Sequence, residues 1–115
     1  MAYRGSCHCG AVAFSVDGEP PKEAMSCNCS HCRRKGFLLT FVPVTQFSLE
    51  SGEADLVAYT FNKHKIEHQF CQTCGTQVFA KGEMGGAKMR AVNLRCVPGI
   101  DLDALEIRKV DGASF

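Results

Sequence analysis

Apolar and polar positions alternate along most of this chain in short runs. Val12, Phe14 and Val16 are apolar at every second position, which predicts a strand over residues 11–16 with one buried face. Asp17-Gly18 and Pro20-Pro21 break it into a turn and a loop. Residues 37–42 are apolar, aromatic and β-branched, the composition of a buried strand. Phe47, Ser48 and Leu49 predict a short strand closed by Ser51-Gly52, and residues 56–61 predict another. Residues 64–70 alternate, with Ile66, His68 and Phe70 on one face, and residues 76–80 continue as a paired strand. Residues 82–86 read as a loop. Residues 89–96 carry Val92, Leu94 and Cys96 on one face, and Pro98-Gly99 turns the chain. Residues 101–105 read as a turn or one helical turn, and residues 107–110 as a last edge strand. Before residue 100 a helix is expected in one place: Ser30 caps a short turn through Arg33-Arg34-Lys35, and Gly36 ends it. Many short strands with Gly and Pro punctuation make an all-β domain over residues 1–115, with no internal repeat and no linker.

Composition narrows the function classes. With 115 residues, 45% apolar and 22% charged, the chain is globular and long enough to bury a core. A formal net charge of +1 gives no pull toward nucleic acid or an anionic membrane. The nearest basic run, Arg33-Arg34-Lys35, is either a solvated surface or part of a site. No apolar run is long enough to span a bilayer, and the N-terminus has no signal-peptide segment, so a cytoplasmic location is expected. Thiols stay reduced there, and the eight cysteines then read as metal ligands before they read as disulfides.

Seven of those cysteines are grouped. Cys7-His8-Cys9, Cys27-Asn28-Cys29-Ser30-His31-Cys32 and Cys71-Gln72-Thr73-Cys74 hold them, and Cys96 stands alone. A closed structural zinc takes four thiolates; a catalytic zinc takes three protein ligands and keeps one position open. Side chains two apart on a strand share a face, so an extended Cys7-His8-Cys9 aims both sulfurs one way and His8 the other. Joined to the Cys71/Cys74 knuckle, whose Gly75 can adopt positive φ, they close a four-thiolate site. Cys27, Cys29 and Cys32 are left for a second metal. Its fourth ligand stays open: His31 has to fold back sharply to reach it, Cys96, His64 and His68 are remote, and water or a substrate atom is the alternative. Three thiolates leave a zinc centre with net charge −1, a poor activator of water but a suitable host for an incoming thiolate. Arg33, Arg34 and Lys35 can offset that charge or hold a substrate carboxylate. The chemistry expected is thiol addition to, or release from, a small carbon electrophile.

At Gly5-Ser6-Cys7-His8-Cys9-Gly10-Ala11-Val12, Cys27-Asn28-Cys29-Ser30-His31-Cys32-Arg33 and Phe70-Cys71-Gln72-Thr73-Cys74-Gly75, the chain resembles the glutathione-dependent formaldehyde-activating enzymes and their centromere-protein-V-like relatives. Val92-Asn93-Leu94-Arg95-Cys96 and Asp101-Leu102-Asp103 extend the resemblance. It implies a β-tent of short antiparallel strands, as in methionine sulfoxide reductase B and the Rab-interacting-factor proteins. It implies two zinc ions, a structural one on Cys7, Cys9, Cys71 and Cys74 and a catalytic one on Cys27, Cys29 and Cys32. It further implies a carbon–sulfur lyase that joins a thiol such as glutathione to formaldehyde. His31, His64 and His68 are candidate proton carriers. Two other readings stand beside this one: a non-catalytic zinc-stabilised binding module of Rab-interacting-factor type, and a redox enzyme using Cys96 as nucleophile. Against the last, Cys96 also reads as a small buried hydrophobe on a strand.

Overall fold

The computed structural model describes residues 1–114. In chain order the elements are β1 (Ala2–Ser6), β2 (Ala13–Asp17), β3 (Glu23–Cys27), α1 (Ser30–Lys35), β4 (Leu39–Pro43), β5 (Phe47–Ser51), β6 (Leu56–Tyr59), β7 (Glu67–Cys71), β8 (Gln77–Met84), β9 (Ala87–Asn93) and β10 (Glu106–Val110), with short 3₁₀ turns between them. The chain is mainly β, as its alternation predicts. One sheet has three strands in the order β1-β2-β5; the other has seven, β10-β3-β4-β9-β8-β7-β6.

The core forms where the inward faces of the two sheets meet. Phe14 and Val16 of β2, at every second position, are fully buried. Phe14 stacks on Phe47 of β5, and Phe47 packs against Phe79 of β8, with ring centroids 5.5 and 4.7 Å apart. The aromatic chain thus joins one sheet to the other. Gly5 of β1 lies under the Phe14 ring, where an added Cβ would come within 2.5 Å of both Phe14 Cζ and the Cys96 carbonyl oxygen.

Several expectations are corrected. Gly82 to Gly86 is not a loop: β8 runs to Met84, and Gly85-Gly86 makes a two-residue turn into β9. Both glycines have positive φ, +59° and +84°, the backbone such a tight hairpin demands. Residues 94–96 leave the strand as a 3₁₀ turn, because the Asn93 side chain accepts the Arg95 N–H and caps it. Leu94 and Cys96 remain buried regardless. On β7, His68 and Gln69 are both buried while Ile66 lies outside the strand and is exposed, because the strand carries an irregularity at Gln69/Phe70 and is covered on both faces. The last edge strand exists, but β10 pairs with β3 in parallel rather than antiparallel fashion. The strands β1 and β3 are additional to those that periodicity predicts.

Candidate metal centres

The first centre lies where β1 ends. Cys7 does not continue the strand; its carbonyl accepts the Gly10 N–H at 3.2 Å, closing a turn. The extended Cys7-His8-Cys9 is therefore corrected: the turn, not strand alternation, brings Cys9 back to Cys7. Their Sγ atoms are 3.6 Å apart. On the other side, the knuckle after β7 closes through the Gly75 N–H to the Cys71 carbonyl at 2.8 Å, with Gly75 at φ +79°. Cys9 Sγ lies 3.7 Å from Cys71 Sγ, and all four sulfurs of Cys7, Cys9, Cys71 and Cys74 fall within 4.8 Å of one another. Four thiolates about 2.3 Å from one zinc are separated by roughly 3.8 Å, so the donor set fits that ion. The local field already favours thiolate at one corner: the Thr76 hydroxyl, 3.4 Å from Cys74 Sγ, pulls that thiol down to about 5. Cys7 and Cys71 are buried in the core cluster.

The second centre spans the end of β3 and the start of α1. Cys27 closes the strand. Cys29 is the helix N-cap, its Sγ accepting the Cys32 N–H at 3.2 Å; the cap is this sulfur and not Ser30. Gly36 terminates the helix in the left-handed region, φ 71°, and returns its N–H to the Cys32 carbonyl. One short turn of backbone thus gathers Cys27, Cys29 and Cys32, again within 4.8 Å of one another. Phe37 and Leu39 pack behind Cys32 and shield it. Burial pushes the Cys29 thiol up, but the hydrogen bonds from Cys32, Cys27 and the His31 backbone, led by the Cys32 N–H, together outweigh this and the thiol falls below its ordinary value. Cys32 goes the other way, through burial. Three soft sulfurs suit zinc, and among the described residues no histidine or further cysteine joins them.

The remaining candidates are elsewhere. Cys96 is buried on the side of the first centre, its Sγ 3.7 Å from the Gln77 carbonyl. Burial and then the Cys7 and Cys74 sulfurs push its thiol up to about 11, which leaves it protonated and unreactive at neutral pH. His64 is exposed and bonded to Thr60 Oγ1 at 2.9 Å.

His31 turns away from the sulfurs into an aromatic stack. Its ring centroid is 4.0 Å from His68, 5.1 Å from Phe61, 5.7 Å from Tyr59 and 5.6 Å from Phe37. Its Nδ1 is buried with no hydrogen-bond partner. Burial, then the Lys35 charge, lowers its pKa; burial, then His31 and Lys35, takes His68 down to about 4. Both rings are neutral at pH 7. Beside them opens a cavity of about 590 Å³, with Ser30, His31, Arg34 and Lys35 on the α1 side and Tyr59 and Phe61 opposite. The stack escapes sequence reasoning because Tyr59, Phe61 and His68 reach His31 through the β6–β7 pairing, Tyr59 facing His68.

The model of the glutathione-dependent formaldehyde-activating enzyme family matches residues 2–103. Among solved structures, the crystal structure of a Rhodobacter sphaeroides protein from a structural genomics programme is similar, with a TM-score of 0.82 and 28% identity. The match covers 93% of this chain and 99% of that one.

Proposed function

The chain belongs to the glutathione-dependent formaldehyde-activating enzyme family, and on that premise we propose that it is a zinc-dependent carbon–sulfur lyase of one domain, joining or splitting a thiol and a small carbonyl compound at Cys27, Cys29 and Cys32. The observation that carries this reading is a cluster of three sulfurs with no fourth protein ligand among the described residues, at the base of a helix whose next residues line a cavity. Cys7, Cys9, Cys71 and Cys74 would hold a second, structural zinc. Zinc at the three-sulfur centre would supply thiol acidity, holding an incoming sulfur as thiolate while it stays nucleophilic.

The chain's own residues do the rest. Arg34 and Lys35 present cations at the cavity, where the carboxylate of a thiol such as glutathione is held. Tyr59 and Phe61 give the cavity an aromatic wall. In the joining direction the thiol gives up its proton, the sulfur–carbon bond forms, and the carbonyl π pair moves to oxygen, which takes a proton. The splitting direction runs in reverse. Of the three histidines, His31 lines the cavity and is neutral, so the role of proton carrier falls to it. In the cytoplasm, the expected location, such thiols are reduced and abundant.

The test is spectroscopic. Cobalt in place of zinc gives sulfur-to-metal charge-transfer bands that grow with each thiolate. Glutathione, cysteine and a small mercaptan should raise the band, and Cys29→Ser should abolish the rise. A spectrum indifferent to every added thiol would sink the lyase and favour the binding-module reading.

A further inference from the structure

We propose that residues 110–114 form a clamp that sets the geometry of the three-sulfur centre, with Asn28 and Gly112 as its positioning residues. The inference rests on the reading above in one respect, that these sulfurs hold a metal; it does not depend on lyase chemistry.

Asn28 stands between Cys27 and Cys29, and three of its polar groups are spent on one short segment. Its backbone N–H donates to the Val110 carbonyl at 3.1 Å. Its side-chain Nδ2 donates to Asp111 Oδ1 at 3.0 Å, and its Oδ1 accepts the Ala113 N–H at 2.9 Å. Asp111 is itself fixed, since its other oxygen accepts the Ser114 hydroxyl at 2.6 Å. The segment arrives in register because β10 runs parallel to β3 and pairs Val110 with Cys27. An amide side chain suits this place: it carries a donor group and an acceptor group on one planar end, and each makes a bond to the segment.

Gly112 shows how closely the clamp approaches. A Cβ on it would collide with Cys27 Sγ and touch Cys29 Cβ at 3.5 Å. The backbone at 112 is therefore a wall against which Cys27 rests, and any side chain there displaces the sulfur. A stretch leaving a strand and entering a helix has many conformations, of which one gathers the three sulfurs. In the folded chain the hydrogen bonds to Asn28 select that one whether or not metal is bound, so less of the binding free energy is lost in ordering the loop there.

The experiment uses the full chain loaded with two zinc equivalents and no added thiol, titrated against a chromophoric chelator. The equivalent missing from Cys29→Ser identifies the three-sulfur centre. Asn28→Ala and Gly112→Ala should each weaken zinc there about tenfold, the scale of losing an outer-shell partner, while the other equivalent and the thermal midpoint of the fold stay as in the parent. Asp111→Ala should weaken it too, and Asp111→Asn, which keeps an acceptor for Asn28, should restore it. That rescue separates positioning from a general loss of structure. Should Asn28→Ala fail to fold, the Asp111 pair carries the test, because that side chain is exposed. Parent affinity in Gly112→Ala and Asp111→Ala, or equal weakening of both zinc equivalents, overturns the clamp. A protein that never responds to thiols would refute the lyase and leave this result standing.

Discussion

Acidification should remove stability from this fold through His68, and the amount follows from its surroundings. The ring is 6% exposed. It packs 4.0 Å from the His31 centroid and 5.4 Å from that of Phe61, with Gln77 Nε2 3.3 Å from its Nδ1. Burial, then His31 and Lys35, lowers its pKa from 6.5 to about 4. The unfolded chain takes up this proton near 6.5 and the folded chain near 4. Between those values the unfolded state binds more protons, so stability rises with pH. The contribution is complete above 6.5 and is lost as pH falls toward 4. At 1.36 kcal/mol per pKa unit the whole gap is worth about 3 kcal/mol, of which about 2 kcal/mol is gone by pH 5. Urea denaturation of the parent and of His68→Asn at pH 7.5, 6.5 and 5 measures it. Asparagine keeps an acceptor for Gln77 but does not titrate. Acid also protonates the thiols and releases metal, but in both proteins, so the difference between the two curves isolates the ring. His68→Asn should be the less stable protein at pH 7.5 and should lose about 2 kcal/mol less on the way to pH 5. Parallel curves would refute the reasoning.

Three further outcomes are expected. Graded chelation should remove one zinc equivalent with the fold intact and the second only with unfolding, because four thiolates hold zinc more tightly than three; release in a single step would count against two distinct centres. Cys7→Ser or Cys74→Ser should lower stability by more than about 3 kcal/mol, since structural zinc contributes on the order of 10 kcal/mol, whereas Cys29→Ser should unfold at nearly the parent temperature and lack the cobalt response to thiols. Cys96→Ala should keep that thiol response in full while costing about 1–2 kcal/mol of packing; loss of the response would return Cys96 to the chemistry.

The sequence carried the parts of this molecule that depend on local pattern. Val12, Phe14 and Val16 place β2, and Gly36 ends α1 as expected. Each short run of cysteines follows from spacing, since short intervals leave its thiols little freedom to separate, and the count of seven assigns the Cys7/Cys9 and Cys71/Cys74 pairs to one four-sulfur site. What depends on contacts between distant strands was not legible. In β3 one residue of five, Ala24, is buried, so no alternation marks it; the strand exists because β10 and β4 pair with it. In β1, Tyr3 and Gly5 face inward, and a glycine gives no apolar signal. Cys29 caps the helix because its sulfur accepts the Cys32 N–H, a role that propensity assigns to the neighbouring Ser30. The aromatic stack around His31 and the clamp on Asn28 both require registers fixed by pairing far along the chain.

The two centres differ in how far the chain must travel to build them. Cys27, Cys29 and Cys32 lie within six consecutive residues, whereas Cys9 meets Cys71 across a separation of 62. Closing a loop of that length costs on the order of 4 kcal/mol in chain entropy, which an unfolded chain does not recover from a few sulfurs. The short cluster has no such barrier and can seize a metal while the polypeptide is still disordered. A metal held in both states biases folding little, because it stabilises both. Emerging from synthesis, the chain completes the short cluster at residue 32 and must wait until residue 74 for the other. The centre proposed for chemistry is thus the first to load and the weaker thermodynamic drive to fold, and the one proposed for structure captures its ion last, as the two sheets close.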